Sequence, residues 1–278
     1  MARNICEHRS ELEFFGYTVL KEEISLKKIA LLRAVLEQEY LSQRDKGTLI
    51  VETENQAIIR SVFATNPASF LSLLEQKNIK TLCANVFPDG FVLQSMNASR
   101  AQPNAGENVA EVTNRIGAHI DSKFPGKGIA NTVALGVAVC VDDFNHENGG
   151  TLIWPFSHLS GQDPRSLIDS GFDLPQPIQL EASAGDVLIF LAQTWHSVGN
   201  NLSSAERWGI FSFVCPWWVK PTWDYTSCGA AIFDELTEFQ KGLLGFLTQT
   251  PAMFSDRQYT KIEVNSLPLD YQGARELD

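Results

Sequence analysis

No stretch of the chain approaches the roughly 20 consecutive apolar residues that a bilayer crossing needs. The opening MARNICEHRSELEFF is charged where a signal peptide carries its apolar segment. The expectation is a cytoplasmic protein with no membrane partner. Positive charge is also scarce: 22 Lys and Arg stand against 33 Asp and Glu, a formal net charge of −11. Such a surface repels phosphate backbones, so no nucleic-acid partner is expected. Cysteine is sparse too. Cys6, Cys83, Cys140, Cys215 and Cys228 are odd in number, scattered and never spaced Cys-x-x-Cys. That spacing argues against a disulfide framework or a cysteine-rich zinc site and predicts reduced thiols filling a core.

What remains is the composition of a folded globular protein, with 44% hydrophobic and 20% charged residues over 278 positions. From Ser25, a capping residue, the apolar positions Leu26, Ile29, Leu32, Val35, Leu36 and Tyr40 recur at helical spacing as far as about Arg44. A second helix is predicted from Asn66-Pro67 through Leu71, Leu73 and Leu74 toward Ala84, ended by the turn Pro88-Asp89-Gly90. Beyond it FVLQSM, TVALGVAVCV, GTLIWPF, GDVLIFLA and RWGIFSFVCPWW read as short antiparallel strands without helical crossovers. The fold class is therefore mainly β with flanking helices, a sandwich or barrel. Ile232, Phe233, Leu236, Phe239, Leu243, Leu244 and Leu247 predict one more helix, followed by a polar tail. With no repeat or linker, a single domain over 1–278 is expected: helical over about 1–90, β over about 91–220, and a helix and tail over about 229–278. The irregular stretches 97–117 and 160–177 are candidates for the mouth of a site.

Histidine is limited to five positions. In RIGAHIDSKF, His119 and Asp121 stand two apart, and on an extended strand such residues project to one face, where both can meet one metal. His196, ending the apolar run of GDVLIFLAQTWHSVGN, is the candidate for a second imidazole. Two imidazoles and one carboxylate on one face of a metal leave three positions open, the pattern of non-haem Fe(II) oxygenases. Arg207 follows, with the turn-forming GNNLSS midway between it and His196, so a simple hairpin would set the two opposite one another. A guanidinium beside a metal is favourable only with an anion between them, and its planar fork suits a carboxylate. Simpler roles stand beside these. His146 and His158 read as turn hydrogen-bonders, His8 as a surface residue, and Trp195, Trp217, Trp218 and Trp223 as core. Arg207 could pair with Glu206 or Asp186, and Thr151 could face solvent.

These residues resemble the phytanoyl-CoA dioxygenase family of Fe(II)- and 2-oxoglutarate-dependent oxygenases. The resemblance runs from FFGYTVLKEEIS to FVCPWW and rests on His119-x-Asp121, VDDFNHENGGTLIWPFSH, GDVLIF, and WHSVGNN with Arg207 eleven residues past His196. It implies a double-stranded β-helix of jelly-roll or cupin type, with Fe(II) held by His119, Asp121 and His196. It further implies 2-oxoglutarate gripped by Arg207, with Thr151 and Gln94 as further contacts to it, and O2 as the second cosubstrate. Ile116 and Val198 stand where family members often carry Gln and a small residue. The implied reaction is oxidation of an unactivated C–H bond of a small metabolite or biosynthetic intermediate. Hydroxylation is expected, with desaturation, cyclisation and epoxidation as alternatives. Asp121, where related halogenases have Ala or Gly, argues against chlorination. From other classes stand a non-catalytic β-barrel binding protein and a cupin-like metal isomerase or hydrolase.

Overall fold

The computed structural model describes residues 3–53, 56–103, 117–122, 125–225 and 230–247. Helix α1 (Ile5–Phe15) opens on a capping box between Asn4 and Glu7 and closes on Gly16, whose φ of 87° is the left-handed conformation glycine adopts without strain. Helix α2 (Leu26–Asp45) is capped by Ser25 as predicted, and buries Ile29, Leu32, Leu36 and Tyr40. The helix expected from Asn66 divides into α3 (Pro67–Leu71) and α4 (Lys77–Val86). Leu71, Leu73 and Leu74 are all buried, and an unbroken helix would turn Leu73 away from the other two.

Among the described residues, ten strands form two antiparallel sheets. They are β1 (Tyr17–Leu20), β2 (Ile50–Thr53), β3 (Gln56–Ile59), β4 (Phe91–Ala101), β5 (Leu135–Cys140), β6 (Thr151–Ile153), β7 (Ile178–Gln179), β8 (Val187–Leu191), β9 (His196–Val198) and β10 (Arg207–Pro216). The larger sheet runs β1-β8-β5-β10-β4-β3-β2 and the smaller β7-β6-β9. This is the architecture of a double-stranded β-helix. One face of the large sheet, with Leu93, Met96, Val137, Val139, Ile189 and Ile210, packs in one apolar cluster with the helices. The opposite face, with Ala138, Cys140, Leu188 and Phe190, packs with Ile153 of the small sheet. Covered on both faces, β5 is buried at every position.

Four local expectations change. Strand β4 continues through Ala101, so the 97–117 stretch begins as a regular strand, and 104–116 lie outside the described residues. The 160–177 stretch contains α5 (Pro164–Asp169). The carboxyl-terminal stripe is divided between α6 (Ala230–Phe233) and α7 (Glu238–Leu243). Most consequential, β9 pairs with β6 while β10 pairs with β4 and β5, so His196 and Arg207 stand on different sheets rather than across a hairpin.

Cys83, Cys140 and Cys215 are buried and Cys6 exposed, while Cys228 lies outside the described residues. His8 is buried, with Nδ1 2.8 Å from Thr18 Oγ1, and not a surface residue. Trp195 is core as expected, but Trp218 and Trp223 are exposed. Among the described residues no helix is long and apolar enough to cross a membrane.

Candidate metal centre

Strand β8 ends in a tight turn, Ala192 to Trp195, that hands the chain to β9 and places His196 at its first position. His119 is held opposite by a reciprocal pair of bonds: its N–H donates to His196 O at 3.0 Å and His196 N–H donates to His119 O at 3.1 Å. Asp121 is fixed by its own N–H, which donates to Ala192 O at 2.8 Å. His-x-Asp therefore sits on an isolated bridge, not on the regular strand expected.

The three side chains converge. Their ligand atoms all lie within 4.8 Å of one another, and among the described residues no fourth His, Cys, Asp or Glu joins them. His196 Nε2 is 2.9 Å from Asp121 Oδ2, and His119 Nε2 is 3.6 Å from Asp121 Oδ1. Each ring turns Nδ1 to a backbone carbonyl, His119 to Gly117 O at 2.6 Å and His196 to Thr194 O at 3.0 Å. A carbonyl only accepts, so each Nδ1 carries a proton, and Nε2, which faces Asp121 in the ion-free site, is the nitrogen left to give up its proton and bind a metal. Burial opposes ionisation of Asp121, yet the charge of His196 and hydrogen bonds from His119 and His196 outweigh it and hold the carboxyl well below the usual range. Burial pulls the His119 pKa down, but the Asp121 contact overcomes this and raises it. An ionised carboxylate and two Nε2 atoms form an open three-donor face suited to a divalent iron-type ion rather than a closed structural zinc site.

The triad opens on a cavity of about 270 Å³. Phe190, Phe211 and Phe213 give its wall aromatic surface, while Gln56, Asn97 and Ser99 on β3 and β4 give it polar surface. Thr151 is buried on this wall, not solvent-facing. Gln94 is not on the wall. The pairing of β4 with β10 jumps from Ser95↔Phe213 to Leu93↔Val214, leaving Gln94 as the extra residue of a β-bulge.

Arg207, first in β10, is buried with its guanidinium 4.2 Å over the Phe144 ring. Alternation sets it on the same face as Phe211 and Phe213, although it does not itself line the cavity. Nη2 donates to Gly149 O at 2.5 Å, while among the described residues Nε and Nη1 are buried without a partner. Burial pushes its pKa down to about 10. Neither suggested ion pair forms: Glu206 bonds Arg100 at 2.5 Å and Asp186 bonds Lys21 at 2.8 Å. Two orphaned donors on a buried cation fit a carboxylate. His146 is exposed near Glu181 and His158 bonds Glu13 O, so neither joins the site.

Most of the wall escapes the sequence reading. Gln56 and Arg60 reach the cavity from β3 and the residue after it, and QAIIR gives no chemical hint of that position beyond its alternation.

The chain is 31% identical over 118 residues to a dioxygenase of Emericella variicolor, covering 42% of this chain and only 39% of that relative's length. HygX from Streptomyces hygroscopicus, solved with nickel and 2-oxoglutarate bound, aligns with a TM-score of 0.59 at 13% identity over 78% of this chain and 89% of its own. The epimerase SnoN, solved with Fe3+, alpha ketoglutarate and nogalamycin RO, aligns with a TM-score of 0.57 at 16% identity over 76% of this chain and 83% of its own. At such identities the structural likeness establishes the fold. The model of the phytanoyl-CoA dioxygenase family matches residues 12–209, a span containing His119, Asp121, Thr151, His196 and Arg207, and this chain belongs to that family.

Proposed function

We propose that the chain is a non-haem Fe(II)- and 2-oxoglutarate-dependent dioxygenase that hydroxylates an unactivated C–H bond of a small metabolite or biosynthetic intermediate. The observation that carries this reading is the convergence of His119, Asp121 and His196 within 4.8 Å on a cavity. Fe(II), bound with 2-oxoglutarate and O2, supplies the oxidising chemistry: the keto acid leaves as succinate and CO2, and one oxygen atom enters the C–H bond.

The protein's own part is positioning. His119 and His196 offer Nε2, and Asp121 offers an ionised oxygen in the place a halide would need. Arg207 receives the distal carboxylate of 2-oxoglutarate on its orphaned Nε and Nη1, with the Thr151 hydroxyl as a neighbouring donor. Arg60, at the exposed rim, gives the cavity wall a cation of its own. Phe190, Phe211 and Phe213 keep water from their part of the wall and offer apolar contact to the substrate, and where its C–H bonds lie decides the product.

Anaerobic addition of Fe(II) and 2-oxoglutarate is the test. A weak visible metal-to-ligand charge-transfer band is expected in the native protein and absent in His119→Ala and His196→Ala. A native protein without the band, or either variant retaining it, overturns the proposal.

A further inference from the structure

All three candidate ligands hang from one turn. Ala192 O accepts from Asp121 N at 2.8 Å and from Ser122 N at 3.0 Å, and Thr194 O accepts from His196 Nδ1 at 3.0 Å. His119 in turn is bridged to His196 through two backbone bonds. The spacing of the ligand atoms is thus set by how firmly the Leu191–His196 segment is held.

What holds it comes from far away in sequence. Gly16 O, at the carboxyl end of α1, accepts two donors from this segment: Leu191 N–H at 2.9 Å and the Thr194 hydroxyl at 2.9 Å. Thr194 is completely buried. Gly16 has a φ of 87°, and a Cβ there would stand 2.6 Å from both Thr194 Oγ1 and His158 Nδ1. Only glycine allows the helix end to approach so closely. The end of α1 is locked in place by two further bonds, His158 Nε2 to Glu13 O at 3.1 Å and Phe156 N–H to Phe15 O at 3.1 Å. The remaining polar side chains of the turn are engaged too. Gln193 bonds Gly128 O at 2.9 Å and Thr132 Oγ1 at 2.5 Å, and Trp195 Nε1 donates to Gln162 O at 2.8 Å.

We infer that Gly16 and Thr194 are positioning residues for the metal-binding triad, the docked cap of α1 setting the geometry in which His119, Asp121 and His196 meet an ion. The inference rests on the metal-centre reading above. Thr194→Val keeps shape and burial but removes the donor to Gly16 O. Gly16→Ala attacks the same contact from the opposite side. Outer contacts of this kind are worth about 10- to 100-fold in metal affinity.

The experiment measures Mn(II) binding by loss of the free-ion EPR signal, with thermal unfolding of each metal-free protein alongside. Thr194→Val and Gly16→Ala are expected to bind Mn(II) about tenfold or more weakly, while Thr194→Ser, which restores the hydroxyl, stays close to native affinity. Leu12→Ala, which removes a buried side chain of α1 but leaves in place the backbone bond from Gly16 N–H to Leu12 O, is expected to lower thermal stability and leave Mn(II) affinity unchanged. Native affinity in both Thr194→Val and Gly16→Ala overturns the inference. So does a loss in Leu12→Ala as large as theirs, because the effect then follows general stability. Should the native protein bind Mn(II) no better than His196→Ala, the metal-centre reading itself falls, an outcome distinct from the other two.

Discussion

Arg207 pays for its place before any ligand arrives. A buried donor without a partner costs on the order of 1–3 kcal/mol, more when charged, and Arg207 has two such atoms. Its pKa of about 10 is the same cost seen from the proton's side. A base whose pKa falls on folding binds fewer protons in the native state, so metal-free stability from this group rises only as pH climbs from about 10 toward the unfolded value. At neutral pH the relief has to come from an anion. Arg207→Leu, although it also removes the bond to Gly149 O, is therefore expected to leave the ligand-free protein as stable as the native one or more so. It should weaken 2-oxoglutarate binding at least tenfold while Mn(II) affinity holds. Thermal unfolding and equilibrium binding check the two halves, and unchanged 2-oxoglutarate affinity would make Arg207 purely structural.

Among the elements, β5 shows how packing on one strand shapes the site on another. A Cβ at Gly136 would lie 2.3 Å from atoms of the Phe190 ring, and that ring stands 4.8 Å from the His196 ring on the cavity wall. Gly136→Val is expected to drive Phe190 into the cavity, costing about 1–3 kcal/mol of stability from overpacking and weakening 2-oxoglutarate binding. Native stability and binding together would refute this. The buried strands β5, β8 and β10 and the capped helix α2 were legible in sequence because each pattern answers to one local rule: an apolar run, a cap, a period. The triad was legible for a similar reason, since His119, Asp121 and His196 carry their chemistry in residue type and spacing. Which sheet a strand joins is not local, and so GNNLSS suggested a hairpin where the chain crosses between sheets. Gln94 was displaced by a bulge, and the Gln56 and Arg60 wall was overlooked, because both depend on pairing register between strands distant in sequence. Gly16 was invisible for the plainest reason, as its role exists only once α1 docks.

For the molecule as a whole, ion and cosubstrate binding are also folding energy. A ligand at 100 times its Kd stabilises the native state by about 2.7 kcal/mol, or about 5 °C in Tm for a chain of this size. Mn(II) and 2-oxoglutarate together are expected to raise Tm by an amount of this order, and EDTA should reverse it; a melting curve indifferent to both contradicts a preformed site. The burial of the thiols acquires a different meaning in light of the O2 and iron chemistry proposed above. Burial pushes the pKa of Cys83, Cys140 and Cys215 up to about 12, and the thiolate is the form oxidants attack. After brief treatment of the folded protein with hydrogen peroxide, mass spectrometry should find Cys6 oxidised and these three intact, whereas the denatured chain should lose that distinction. Folding would then serve as an antioxidant for three thiols that, among the described residues, no disulfide or metal site protects.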